Sequence, residues 1–434
     1  MATGITDFVM DHALFSHHDH HNGFAVFEEE RGGLDFRSLL GYATADLVTA
    51  AGPRALDVPE DGLGSESWVG AHWPVIRTTG YGRAVDLTCR ALFDIEYQPE
   101  SFSEITRALG SMVEGKTPAE VYNCFMLEKA NNPCVLQDGH FRPGNEDTIE
   151  SAKYPDYYRF AWRMDDILSI YDGGPIATLE KATGVSILSV DDLVKAANAN
   201  IDTFKASGKL AAIKIGIAYS RDLVVQDPTH HAAEQAFNRI RNRKLFYDGV
   251  QQNTAAVSAL EARPLADYMF HCLMKRANDE NLPVQIHTGY LAGNWGSLGG
   301  TKALHLIPIF EKYRHVRFDI FHASWPWVSE LGAIAKNYPN VYPDMCWAWT
   351  MNPSESERAL SQWLDGVPYN KIFGYGADTR WPWCNVGYSI QARKGIARVL
   401  EEKIAAGYFS QATARDVAEA IMIENGKTFY GLGA

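Results

Sequence analysis

The sequence predicts an α/β fold: a (β/α)8 TIM barrel with a largely helical insertion after its first strand. Three observations carry that expectation. Short apolar runs rich in β-branched and aromatic residues alternate with longer helical stretches through the second half of the chain. Several of those runs end in a polar, ligand-capable residue, the place where barrel enzymes build their sites. The segment from Asn22 to about Asn132 is too long for a single crossover and carries its own helical periodicity.

Taken in order, Ala13–Ser16 is the expected first strand, Val135–Gln137 the second and Phe160–Met164 the third. Leu210–Ile217, Val284–His287, Val316–His322, Val341–Met345 and Ile372–Gly376 follow, which makes eight, the number that closes a barrel. The pattern by itself also admits an open doubly wound sheet. Between the later runs lie the helical stretches Leu265–Asn278, Ala303–Tyr313 and Glu355–Leu364, and Ala412–Gly431 reads as a closing helix. The insertion, about residues 24–132, contains the helix-like stretches Gly82–Phe93 and Ser103–Glu114. It can act as a lid over the active face or as an oligomerisation arm. With no internal repeat and no Gly/Ser/Pro linker, residues 1–434 read as one domain, insertion included, and a homo-oligomer is expected.

Composition narrows the class of function. The chain has 434 residues, 46% hydrophobic and 21% charged, with ample apolar material for a large core. Its formal net charge is −13, and no Lys/Arg-rich run offsets it, so no nucleic-acid partner is expected. No apolar run approaches the ~20 residues of a membrane span. Met1–Phe15 lacks the features of a signal peptide, so a cytoplasmic location is expected. The six cysteines form no CxxC pair, which argues for reduced thiols rather than a disulfide framework or a structural zinc site.

The densest chemical signal is Ser16-His17-His18-Asp19-His20-His21-Asn22-Gly23, where four of the fourteen histidines fall within five positions. Residues two apart on an extended chain share a side, so His18 and His20 can present two imidazoles to one metal ion. A solvated His-rich loop is the bland alternative. Against it, His287 ends one later run, His322 ends another, and Asp378 lies just past Ile372–Gly376. One strand-end histidine is ordinarily a satisfied core residue. Three such groups plus the histidine pair imply a metal site.

This arrangement resembles the amidohydrolase superfamily: His-x-His after the first strand, His after the fifth and sixth, Asp after the eighth. The tail Ile423–Gly431 looks like the closing helix of that group. The resemblance implies a divalent metal, expected to be zinc and one per chain, with His18, His20, His287 and Asp378 as ligands. Asp378 would alternatively be the general base, and His322 would polarise the substrate oxygen or join a second metal. Asp378-Thr379-Arg380 also resembles the Asp-Ser-Arg element of uronate isomerases, a branch that performs no hydrolysis.

Lys214, in Ile213-Lys214-Ile215-Gly216, alternates with isoleucines and should point into the barrel. By resemblance it would bridge two metals as a carboxylated lysine; otherwise it pairs with an acid such as Asp165 or Asp166, or grips a substrate carboxylate. Six of the eleven tryptophans occur as Trp-x-Trp after three late strands: Trp325 and Trp327, Trp347 and Trp349, Trp381 and Trp383. They either pack the barrel mouth or stack on a substrate ring, with Trp325 and Trp381 the candidates. Arg380 and Arg221 are candidates to bind a substrate carboxylate bidentately, with surface salt bridging as the alternative. The expected partner is a small-molecule substrate. The first functional expectation is a metal-dependent hydrolase acting on a small carboxylate-bearing amide or related C–N or C–O bond. A uronate (aldose–ketose) isomerase and a non-oxidative decarboxylase are the alternatives, and a non-enzymatic binding protein is the alternative of a different class.

Overall fold

The computed structural model describes residues 4–53, 64–141, 154–163, 165–241 and 257–432. Met1–Thr3, residues 54–63 of the expected insertion, and Met164 at the end of the expected third strand lie outside them. Among the described residues seven strands form one sheet in chain order: β1 (Phe15–Asp19), β2 (Cys134–Phe141), β3 (Tyr158–Arg163), β4 (Leu210–Ile215), β5 (Val284–Ile286), β6 (Phe318–Ile320) and β7 (Val341–Pro343). Every neighbouring pair is parallel.

The segment after Lys371 joins the two edges. Phe373 N donates to Pro343 O at 3.1 Å and Met345 N to Phe373 O at 2.9 Å, on the β7 side. On the β1 side His17 N donates to Tyr375 O at 3.2 Å and Asp378 N to His18 O at 2.8 Å. The sheet is therefore closed, which removes the open doubly wound alternative. The expected eighth strand, Ile372–Gly376, is irregular: only Asp344 and Phe373 form a ladder pair. Gly374 explains part of this, since its amide donates to Ile421 O of the C-terminal helical region (2.7 Å) instead of to a strand.

Strand boundaries depart from expectation at β1 in a way that bears on the site. The strand runs Phe15–Asp19 rather than Ala13–Ser16, so His18 lies within it rather than after it. Its pairing with β2 shifts register between Ser16 and Asp19. That irregularity lets two neighbours, His17 and His18, both serve the barrel interior, which strict alternation forbids. In β4 the alternation is regular. Ile213 and Ile215 join the apolar layer between sheet and helices, while Lys214 lies on the other side. A second apolar cluster holds Phe15, Leu136, Ala212 and Phe373, together with Phe429 and Tyr430 from the end of the chain. The expected closing helix is found as three successive segments, Gln411–Glu419, Ala420–Glu424 (π-helical) and Asn425–Tyr430.

Between β1 and β2 the described residues are helical: Phe24–Glu30, Ala43–Ala51, Glu66–Ile76, Gly80–Phe93, Phe102–Val113 and Pro118–Asn123 are its α-helices. Gly80–Phe93 shows why. The Thr79 hydroxyl caps it by accepting from Gly82 N at 3.1 Å, and Asp94 ends it in the left-handed region. Its buried residues Tyr81, Ala84, Val85 and Thr88 fall at helical spacing and pack against the long helix Cys384–Ala405 that follows the eighth segment. Leu47, Trp73 and Ile105 of this region belong to the same apolar cluster as Ile213 and Ile286 of the barrel.

Candidate active site

The histidines and Asp378 meet at the C-terminal ends of the strands. His18 Nε2 and His20 Nε2 are 3.1 Å apart. Asp378 Oδ1 lies 3.2 Å from His20 Nε2 and 3.9 Å from His18 Nε2, and its Oδ2 lies 3.7 Å from His322 Nε2. His287 joins through His322, with His287 Nδ1 facing His322 Nε2 at 3.0 Å. The structure thus brings His18, His20, His287, His322 and Asp378 into one group.

Hydrogen bonding assigns the proton positions of two rings. His287 Nε2 bonds to Tyr290 O at 2.8 Å, and His322 Nδ1 to Cys346 O at 3.0 Å. A backbone carbonyl only accepts, so each ring carries its proton on that outer nitrogen. The inner nitrogens, His287 Nδ1 and His322 Nε2, are left with lone pairs aimed at each other. Burial lowers both rings, His287 well below the usual imidazole range and His322 to about 4, so both are neutral near pH 7. Two lone pairs at this separation repel unless a cation lies between or beside them. The donor set therefore fits a divalent metal held by imidazole and carboxylate.

Local backbone strain serves this convergence. His322, Ala323, Ser324, Trp347 and Asp378 all have positive φ (62°, 52°, 49°, 62° and 57°), a region that side chains other than glycine seldom adopt. Gly289 (φ 75°) allows the loop after β5 to close on the loop after β6, because a Cβ there would stand 2.5 Å from Trp325 O. Asp19 anchors the Asp378 turn. Its Oδ1 accepts from Thr379 N at 3.0 Å and its Oδ2 from Asn385 Nδ2 at 3.1 Å.

Asp138, after the apolar start of β2, stands at the same site. Its Oδ2 lies 3.6 Å from His18 Nε2 and 3.7 Å from His20 Nδ1, and it accepts from Arg163 Nη1 at 2.7 Å. Arg163 also pairs with Asp165 at 2.5 Å. Burial raises Asp378, but the neighbouring His20, His322 and Lys214 outweigh it and hold the carboxyl below its ordinary range.

Other expected residues are placed differently. Lys214 faces the barrel interior, but its ammonium sits 3.7 Å above the Phe321 ring, and its suggested partner Asp165 is taken by Arg163. Burial lowers the Lys214 pKa, against an upward pull from Asp138. Arg221 is held in a buried ion pair with Asp267 (2.8 Å) rather than presented to a substrate. Arg380 is 57% exposed and engages Glu30 (2.6 Å) and Asn22 Oδ1 (2.9 Å), tying the eighth segment to the insertion. Trp381 stacks on Trp383 at 4.6 Å, which is packing, and Trp325 lies 5.1 Å from Tyr290. Among these tryptophans Trp347 faces the donors, 5.1 Å from the His322 ring, with Tyr42 of the insertion 4.6 Å behind it.

Asp138, Asp19, Cys346 and Tyr42 were not singled out from the sequence as site residues, and Trp347 was named only within the Trp-x-Trp set. Asp138 had a usable signal, since it ends the run Val135-Leu136-Gln137 as His287 ends Val284–Ile286. Nothing local marks Tyr42, which reaches the site through the fold of the insertion.

Residues 222–432 match the amidohydrolase family model. The resemblance to amidohydrolases read from the sequence is borne out. The matched span contains His287, His322 and Asp378, whereas His18, His20 and Asp138 precede it. Protein fluG of Emericella nidulans is 25% identical over 233 residues, 52% of this chain and 26% of that protein, so the chain spans about a quarter of that curated relative. Two solved structures share the fold. A uronate isomerase from Thermotoga maritima superposes with a TM-score of 0.78 at 14% identity, covering 98% of this chain and 96% of that one. A glucuronate isomerase from Caulobacter crescentus gives 0.76 at 15% identity, covering 99% and 93%.

Proposed function

We propose that this chain is a metal-dependent enzyme of the amidohydrolase superfamily that hydrolyses a small carboxylate-bearing amide or a related C–N or C–O bond. The observation that carries this reading is the convergence of the ring nitrogens of His18, His20, His287 and His322 beside the Asp378 carboxylate. His18, His20 and Asp378 would hold a divalent cation, with His287 and His322 adjoining. Such a cation supplies Lewis acidity, making water a nucleophile near neutral pH and polarising a substrate oxygen. Asp378 then accepts the proton of the attacking water and returns it to the leaving group. His322, fixed through Cys346 O, keeps its Nε2 lone pair turned towards the cation and Asp378. Trp347 and Tyr42 form an apolar wall that keeps bulk water from the reacting bond.

A uronate isomerase is the second reading, favoured by Asp378-Thr379-Arg380 and by the fold shared with two such enzymes. The outward ion pair of Arg380 speaks against it, because that element delivers Asp378 but no arginine to the donors. Mass analysis of products separates the readings. The metal-loaded protein is incubated with a panel of N-acyl amino acids and with D-glucuronate. Gain of one water by an amide supports hydrolysis. Conversion of D-glucuronate to an isomer of equal mass, with the amides untouched, overturns it, and so does release of CO₂.

A further inference from the structure

We propose that the barrel mouth holds a second, thiolate-containing cation position formed by Cys346, His322 and Asp378, beside the one at His18 and His20. The proposal rests on the reading that this mouth binds divalent metal. A ring nitrogen of His322, the Cys346 thiol and a carboxylate oxygen of Asp378 lie within 4.8 Å of one another, and all three residues are buried. His18, His20 and Asp138 form a separate group by the same measure. Asp378 spans the two, with Oδ1 turned to the His18/His20 pair and Oδ2 to His322. One carboxylate can thus give one oxygen to each position. The lone pair of His287 Nδ1, 3.0 Å from His322 Nε2, adds a fourth donor on the Cys346 side.

The thiol is placed there by its surroundings. Cys346 N donates to Asp344 Oδ1 at 2.8 Å, and its carbonyl accepts from His322 Nδ1, so both ends of the peptide are fixed. Its sulfur occupies the space beside Gly376, where a Cβ would stand only 2.6 Å from Sγ. Any other residue at 376 would force the thiol to move. Lys214, which resemblance would make the bridge between two metals, is occupied over the Phe321 ring. The composition of the position sets its preference. Thiolate and imidazole favour zinc or cobalt over magnesium or calcium, which take oxygen ligands. Binding replaces the S–H bond by an S–metal bond and releases that proton to solvent.

Cobalt(II) titration of the full-length, metal-stripped protein tests this, because thiolate ligation produces a charge-transfer absorption in the near ultraviolet that imidazole and carboxylate do not. The wild type should bind two equivalents, and the band should report one thiolate. Cys346→Ser should lose the band, Cys272→Ser should keep it, and His18→Ala combined with His20→Ala should lose one equivalent but keep the band. Wild-type protein that binds cobalt without the band overturns the thiolate position while leaving the His18/His20 metal standing. That reading needs no variant to fold. A band that persists in Cys346→Ser also overturns it, and failure of the wild type to bind any cobalt overturns both readings.

Discussion

Two polar layers lie inside the same barrel and behave in opposite ways. The layer at the strand ends gathers His18, His20, His287, His322 and Asp378, and leaves lone pairs directed at one another. The layer below holds His17, Gln285, Asp319, Asp344 and Tyr430. There Gln285 donates to His17 O at 2.9 Å and to Tyr430 Oη at 2.7 Å, while the Tyr430 hydroxyl donates to Asp319. Burial, reinforced by Asp344, pushes Asp319 well above the ordinary carboxylate range. Burial does the same to Asp344, and lowers His17 to about 4. Burial in the lower layer thus favours the protonated acids, whereas the surroundings of Asp378 favour its carboxylate. The difference lies in the neighbours, since all three acids are buried. Cationic and imidazole groups surround Asp378, and a second acid faces Asp319. A barrel can bury carboxylates for structure and for chemistry a few ångströms apart, provided the company of each is different.

The largest effect should come from breaking the upper layer. Asp378→Asn removes the proton acceptor while keeping its shape, and kcat on whatever substrate is turned over should fall by about 10²- to 10⁴-fold, the usual worth of a positioned acid–base group. Steady-state kinetics on the metal-loaded variant check this. Unchanged kcat would remove Asp378 from the chemistry.

The lower layer should show a smaller effect, on stability. An acid whose pKa is raised by folding binds its proton in the native state over a range where the unfolded chain has lost it. Stability then declines as pH rises from the unfolded value, ~4, towards the raised native one. Asp319→Asn keeps an oxygen acceptor for Tyr430 and removes the titration. Denaturant unfolding across about pH 5 to 7 should show that this decline is less steep in the variant, by up to about 1 kcal/mol per pH unit, the one-proton limit. The neutral His17 contributes the opposite sign, because stability from a lowered imidazole is lost as pH falls from 6.5 towards 4, and Asp344 titrates together with Asp319, so the comparison reports the coupled acid pair. An identical slope in the two proteins would mean that Asp319 is ionised.

Much of the upper layer was legible in the sequence because it obeys a local rule. An apolar run followed at once by a histidine or aspartate marks a strand end in an α/β barrel, and His287, His322 and Asp378 all follow it. His18 and His20 were legible by their density, although β1 proved to contain His18 instead of preceding it. What stayed hidden depends on packing. Arg380 and Arg221 have the right charge for a carboxylate, but Glu30 and Asp267, distant in sequence, claim them first. Cys346 follows β7, a strand of three residues, where neither alternation nor spacing announces a thiol. Gln285 and Asp319 sit within apolar runs whose inward positions carry polar groups, and only the arrival of Tyr430 from the chain end explains them.

The central claim, that these residues form a divalent-metal site, is tested most directly by elemental analysis of protein purified without added metal. The wild type should carry at least about one divalent ion per chain. The double variant His18→Ala, His20→Ala should lose at least one equivalent relative to it. A double variant that keeps the full wild-type complement, or a wild type that stays metal-free after loading with zinc, would contradict the account.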